Sequence, residues 1–297
     1  MQLKRMSLTS SDRCLMCNGP KSAEAQVCGS CLRFGEITTD SIPGLMALIQ
    51  KVLLLGNLKP EYVDVLLSHE SKYTIAFTAF TYDPVFNYEI YEHLGDGVVN
   101  SFLSWYFYRR FNQLNCPNGL KILARLKSNY ASKGSFSAIA ENLGFWPFIR
   151  ASAEQRRTYK PTLLEDVFEA FIGVTVEILD TTYTIGAGYG IVYRILETIF
   201  NGIEISLDYE NLYDTVSKLK EMFEHYKAQL GTHVYEDESS TVVKVYRVFR
   251  GAKTLLGTGV GQPQKGLRKQ EAARQALELL KSQGFVRQES YRLVCDV

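Results

Sequence analysis

Between residues 45 and 200 the apolar positions recur three and four apart, the spacing of helices that bury one face. Segments of this kind run over Leu45–Leu58, Glu61–Ser71, Leu120–Tyr130, Ser135–Leu143, Thr162–Leu179 and Gly190–Phe200. Another helix follows Asp83-Pro84 and continues through Phe102, Trp105, Phe107 and Phe111. It carries more aromatic surface than one exposed face can hold, which predicts core or a subunit interface. No convincing two-residue alternation occurs before residue 200, so this region is predicted to be all-α. Past Asn201 the pattern changes. A helix over Tyr213–Gln229 places Val216, Leu219, Met222, Phe223 and Tyr226 on one side. His233–Glu236, Thr241–Phe249 and Thr254–Gly261 then read as strands, and Leu267–Lys281 as an Ala-rich helix.

The aromatic-rich helix opens with Tyr88-Glu89-Ile90-Tyr91-Glu92-His93-Leu94-Gly95-Asp96-Gly97. Glu89, Glu92 and Asp96 fall three and four apart and share one helical face, where like charges repel. Gly95 and Gly97 each cost a helix about 1 kcal/mol relative to Ala, so the pair predicts close backbone approach beside grouped carboxylates. A second acidic pair, Asp166 and Glu169, sits in the apolar run Leu163–Gly173, where burial without a partner is costly. Either stretch alone also reads as an ordinary amphipathic helix. Facing each other, the two helices would gather four carboxylates around one hard, oxygen-seeking cation such as Mg²⁺.

Length and composition allow two modest domains and an appendage. The chain has 297 residues, 46% hydrophobic and 22% charged, which is ordinary for a soluble protein. No apolar run approaches the roughly 20 residues of a membrane helix, so no membrane partner is expected. The first residues lack the apolar core of a secretory signal, which predicts a reducing intracellular setting, cytoplasmic or nuclear, with an organelle left open. The net charge of +1 hides an uneven distribution. From Thr241 to Arg292 eleven Lys and Arg face only three Glu, a balance that points to nucleic acid. At the other end, Cys14/Cys17 and Cys28/Cys31 form two C-x₂-C pairs with ten residues between them. Two disulfides or four unrelated thiols would also account for them, but paired thiols suit tetrahedral Zn²⁺, and one structural zinc is expected.

In these motifs the sequence resembles the ribonuclease III family. Glu89, Glu92, Leu94, Gly95 and Asp96 match a signature helix of the form Asn-Glu-x-Leu-Glu-Phe-Leu-Gly-Asp. Asp166, Glu169, Ala170 and Gly173 match a later Asp-x-x-Glu-Ala motif, and Leu126–Ser132 with Phe136–Gly144 resemble the family's middle segment. Helix, three strands and a helix with a basic entry similarly resemble a double-stranded RNA-binding domain. The resemblance implies a multidomain chain: a four-cysteine zinc-binding segment (1–40), an all-α ribonuclease III catalytic domain (41–204), an α-β-β-β-α double-stranded RNA-binding domain (208–286) and a tail (287–297). It further implies an endoribonuclease that hydrolyses double-stranded RNA with Mg²⁺ or Mn²⁺ held by Glu92, Asp96, Asp166 and Glu169, and Glu89 outside that set. The products would carry 5′-phosphate and 3′-hydroxyl ends with short 3′ overhangs. Glu221, Lys265, Arg268 and Lys269 match RNA-contacting positions. The expected assembly is a homodimer, a heterodimer being the other arrangement.

Four departures stand out. His93 replaces the usual aromatic plug of the dimer, and Asn118 stands where an acidic residue is common. A loop Glu236-Asp237-Glu238-Ser239-Ser240 replaces Gly-Pro-x-His between the first two strands, and Gly266 replaces a lysine. Acidic residues in that loop would repel phosphate. The rival readings are a catalytically silent ribonuclease III-fold RNA-binding subunit of a ribonucleoprotein complex and a zinc-ribbon processing factor. Retention of all four carboxylates argues against the first, and the long carboxylate-bearing helical region against the second.

Overall fold

In the computed structural model, which describes residues 40–117, 119–262 and 264–286, the helical spacing between residues 45 and 200 is realised as a succession of helices. They are α1 (Leu45–Leu54), α2 (Pro60–Leu67), α3 (Glu70–Ala76), α4 (Glu89–Arg110), α5 (Leu120–Tyr130) and α6 (Lys133–Leu143). α7 (Ala153–Thr158), α8 (Lys160–Thr182) and α9 (Ala187–Asn201) follow. The expected segment Glu61–Ser71 divides into α2 and α3. Its joint is Ser68-His69, where the Ser68 hydroxyl donates to the Val65 carbonyl and competes with the helical ladder. The four-cysteine segment and the C-terminal tail lie outside the described residues.

The described residues gather into two compact units, one from 40–100 and 133–200 and the other from 101–132 and 201–286. In the first, α8 is the central element. Its residues are buried on nearly every side from Leu163 to Thr175, as expected of a helix that is apolar almost all round. Phe171 packs against Tyr73 and Phe145, and Phe168 against Phe136. Lys72 and Glu177 close a salt bridge of 2.6 Å between α3 and α8.

Gly95 and Gly173 mark where α4 crosses α8. A Cβ on Gly95 would overlap the Glu169 carbonyl oxygen, and one on Gly173 would overlap that of Tyr91. The two backbones touch, and only glycine fits at either position. Gly97 is different, since a Cβ there meets nothing within 4 Å. The expectation that both Gly95 and Gly97 serve close approach is corrected to Gly95 alone, because Gly97 lies off the crossing.

In the second unit Phe102, Phe107 and Phe111 of α4 are buried, whereas Trp105 and Tyr108 are exposed. After α9 come α10 (Tyr209–Leu212), α11 (Thr215–His225) and α12 (Lys227–Leu230). The antiparallel strands β1 (Thr232–Ser239), β2 (Val242–Phe249) and β3 (Ala252–Val260) and the helix α13 (Lys265–Ser282) complete the module. Leu219, Met222 and Phe223 of α11 meet Val245, Leu256 and the small Ala272, Ala273 and Ala276 of α13 in one apolar core. Gly257 and Gly259 of β3 let α13 approach closely, since a Cβ on either would overlap the Ala272 or Arg268 carbonyl.

Asp214 caps α11 by accepting from the Ser217 amide at 2.9 Å, and it also accepts from the Gln270 side chain and, at 2.5 Å, from Arg125 of α5. Arg125 additionally donates to the Leu212 carbonyl and stacks on Tyr213. The segment leading into the module is thereby tied to α5. The acidic stretch expected as a loop is mostly strand. β1 runs to Ser239, with Glu236 opposite Lys244 and Asp237 opposite Val243, so the hairpin closes within a residue or two of Ser240. Period-two pairing outcompetes the loop tendency of Asp and Ser here.

Candidate active site

The crossing of α4 and α8 decides where the acidic side chains fall. On α4, Glu92 comes about one turn before Asp96, with Gly95 between them; Asp166 and Glu169 occupy the facing turns of α8. Glu169 is 7% exposed, Glu92 and Asp166 are half-buried, and Asp96 and Glu89 are exposed. The carboxylates feel one another. Glu169 is pushed up to about 8, first by burial and then by the charges of Asp96, Glu165, Glu92 and Asp166. Burial together with Asp166, Glu89 and Glu165 lifts Glu92 to about 7, Lys133 opposing. Asp166 rises to about 6, again mainly by burial, although its hydrogen bond from Tyr88 pulls the other way.

Neighbours that the motifs do not mark fix these groups. The Tyr88 hydroxyl donates to Asp166 Oδ2 at 2.7 Å, and the Asn100 amide donates to Asp96 Oδ1 at 2.7 Å. Lys133, the first residue of α6, pairs with Glu165 Oε2 at 2.5 Å. Burial opposes the charge on Lys133, yet its hydrogen bond to Glu165 and the charges of Glu165, Asp166 and Glu169 outweigh burial and raise it. Of these, only Asn100 had a signal in the sequence: it lies four residues after Asp96, in reach of it on one helical face.

Among the described residues no three His, Cys, Asp or Glu side chains converge closely enough, as they stand, to hold a metal ion. The chemistry of the donor set nevertheless fits a hard divalent cation. It offers carboxylate oxygen only, and burial, with neighbouring negative charge added to it, raises three of the four carboxyl groups. The helix crossing at Gly95 and Gly173 brings the two acidic turns alongside each other. The thiols Cys14, Cys17, Cys28 and Cys31 and the position Asn118 lie outside the described residues. His93 is exposed on α4.

The positions expected to touch RNA are distributed over the C-terminal module. Glu221 is half-buried on α11; Lys265, the first residue of α13, is exposed and pairs with Asp237; Lys269 lies over the Tyr235 ring. Arg268 is buried and donates through a guanidinium nitrogen to the Gln262 carbonyl at 2.5 Å, supporting the turn into α13. Among the described residues no helix is long and apolar enough to cross a membrane.

Comparison with known proteins agrees with this geometry. The Ribonuclease III domain family matches residues 89–176, the stretch that holds both acidic motifs. "Putative ribonuclease 3" of Frog virus 3 (isolate Goorha) is 40% identical over 251 residues, covering 82% of this chain and 65% of the viral protein, so the chain spans just under two thirds of that relative's length. The protein of the same name from Invertebrate iridescent virus 6 is 39% identical, with 78% of this chain and 86% of that protein covered. Ribonuclease 3 of Lactobacillus johnsonii is 30% identical over 75% of this chain and 95% of its own length. A solved nuclease domain of ribonuclease III from Campylobacter jejuni is 22% identical, covers 54% of this chain and 97% of that one, and superposes with a TM-score of 0.39, too low to bear on the fold. With well over two thirds of two such relatives covered at 30% identity or more, the chain belongs to the ribonuclease III family.

Proposed function

We propose that the protein is an endonuclease for double-stranded RNA whose Glu92, Asp96, Asp166 and Glu169 hold Mg²⁺ or Mn²⁺. The observation that carries this reading is the partly buried carboxylate cluster beside the Gly95–Gly173 crossing, with Glu169, Glu92 and Asp166 all raised. Structural ion-pair networks also perturb carboxyl groups, but here Lys133 is the cation that opposes the rise at Glu92 and Asp166, and it does not cancel it. A divalent ion, when bound, supplies charge to the phosphate and acidity to water. The chain's own residues do the rest. Tyr88 orients Asp166, Asn100 orients Asp96, and Lys133 offsets Glu165 beside the cluster.

In this reading residues 41–204 form the catalytic domain and 208–286 a double-stranded RNA-binding domain that grips A-form shape through phosphates. Two copies would each cut one strand, leaving 5′-phosphate and 3′-hydroxyl ends with short 3′ overhangs. The two C-x₂-C pairs extend the proposal to one structural zinc on Cys14, Cys17, Cys28 and Cys31. The deciding experiment incubates the full chain with a plain RNA duplex, its single strand and a DNA duplex of equal length, with and without Mg²⁺. Cleavage of the RNA duplex alone, only with the ion, is the expected result. Duplex binding without cleavage under any divalent ion would instead establish the silent RNA-binding subunit. Elemental analysis of the wild type against Cys14→Ser/Cys17→Ser decides the zinc.

A further inference from the structure

Part of the basic charge of the C-terminal module is offset from within. Glu236, Asp237 and Glu238 each hold one lysine: Lys253 with Glu236, Lys265 with Asp237 and Lys244 with Glu238, all at 2.5 Å. The three pairs do not lie on one surface. Strand register separates them, because neighbours along a strand face opposite sides of the sheet. Glu236 stands opposite Lys244, which is flanked by the buried Val243 and Val245, so both side chains face away from the helices. Asp237 stands opposite Val243 and Tyr235 opposite Val245, so these two face the helix side. There Lys265 reaches Asp237, and Lys269 lies 5.4 Å from the Tyr235 ring centre.

We propose that Asp237 is a built-in competitor for RNA phosphate, an internal anion that holds Lys265 until a duplex displaces it. The inference rests on reading the module as a binder of double-stranded RNA and assigns to this chain a residue that lowers its affinity. The ion pair suits such exchange, since both side chains are about half exposed, at 55% for Lys265 and 50% for Asp237, and exposed pairs of this kind are weak. Binding therefore trades one anion for another at Lys265, and the salt dependence of binding is correspondingly shallow. Glu236 and Glu238 hold lysines on the other face of the sheet and serve as a control.

The test measures affinity of the full chain for a blunt RNA duplex across a range of KCl, in buffer without divalent ions. Asp237→Asn is expected to tighten binding by about threefold to fivefold at low salt, the range an exposed ion pair is worth. Its plot of log affinity against log salt should steepen by about 0.9, one more phosphate contact, so that the advantage shrinks as salt rises. Glu236→Gln/Glu238→Gln removes more charge and is expected to change affinity less. Lys265→Gln should cost little in the wild type and more in the Asp237→Asn background. Equal affinity and slope for Asp237→Asn and wild type overturn the proposal, as does an equal or larger gain from the opposite-face variant. If Asp237→Asn unfolds, the Lys265→Gln measurement still decides, because a large loss in the wild type shows that Lys265 already engages RNA unopposed. Absence of duplex binding by wild type and variants alike would instead overturn the reading of the module, and the inference with it.

Discussion

The carboxylate region and the C-terminal module rest on the same packing device and treat charge in opposite ways. In both, glycines let a helix lie directly on neighbouring backbone: Gly95 and Gly173 between α4 and α8, Gly257 and Gly259 between β3 and α13. Around the first crossing acids accumulate faster than bases, and Glu169, Glu92 and Asp166 are all raised. Around the second, Lys244, Lys253 and Lys265 each have an acidic partner. In the proposed reading, a bound cation would offset the unbalanced charge gathered at this crossing. Lysines paired one to one with acids would leave fewer cations open to indiscriminate anion binding.

The sharpest way to break this comparison is Glu169→Gln, which keeps the shape and removes the charge. Cleavage of an RNA duplex in Mg²⁺ is expected to fall by at least about a hundredfold, in line with loss of one preorganised charged group. Duplex binding, which the proposed function assigns to the module, should stay within about twofold. Cleavage and binding measured on the same preparation check it, and near wild-type cutting would remove the carboxylates from the chemistry.

Gly95→Ala should be the most damaging small substitution. Its methyl group overlaps the Glu169 carbonyl, and forcing the helices apart is expected to cost about 3 kcal/mol. Gly97→Ala, two residues along the same helix, meets open space and should be neutral or stabilising by up to about 1 kcal/mol. Denaturant unfolding of the two variants gives the contrast directly. Similar costs would mean that the crossing does not constrain the pair.

Asp214→Ala tests the other region. It removes the cap of α11 and the anchor of Arg125 together, for an expected loss of about 1–2 kcal/mol. Arg125→Ala should reproduce part of that loss without touching the cap, and a double-mutant cycle separates the two contributions.

Acid and base should also divide the regions. Carboxyl groups raised in the folded state give stability that is full below their ordinary values near roughly 4 and is lost as pH climbs through about 6 to 8. Asp214 is held in the opposite sense. Burial alone would raise it, but hydrogen bonds from Ser217, Gln270 and Arg125 prevail and hold it well below the usual carboxylate range. Its contribution is present above that range and is lost as pH falls through and below it. In buffer free of divalent ions, the melting temperature is expected to fall by about 2–4 °C from pH 5 to pH 8, the shift that roughly 1 kcal/mol produces in a chain of this size. Added Mg²⁺ should restore more at pH 8 than at pH 5. A flat profile would show that the cluster is not strained by its own charge.

Much of the fold is legible in the sequence because burial imposes a period. α5 follows the expected Leu120–Tyr130 without change, and β2 emerges from the period-two alternation of Thr241–Phe249. The spacing of Glu92 and Asp96, and of Asp166 and Glu169, puts each pair on one face. Tertiary relations leave weaker traces. Nothing in the neighbourhood of Tyr88 or Lys133 announces that they reach α8, since those contacts join residues far apart in the chain. Gly95 and Gly97 look alike in sequence, and only the crossing helix distinguishes them. The acidic stretch 236–238 reads as loop because its composition favours turns, while its register with β2 favours a strand.

The contact between Gly95 and Gly173 has a consequence for ion choice. If the four acids hold a metal as proposed, the backbone contact of the two helices at Gly95 and Gly173 would set their Cα framework before an ion arrives. Adjustment falls to a few side-chain torsions. Ions of differing radius and coordination number should therefore be accommodated with similar helix geometry and discriminated by how well those torsions satisfy each one. Occupancy would be a poor guide to competence: a guest that fits the frame but draws the carboxylates into another arrangement would bind well and support little turnover.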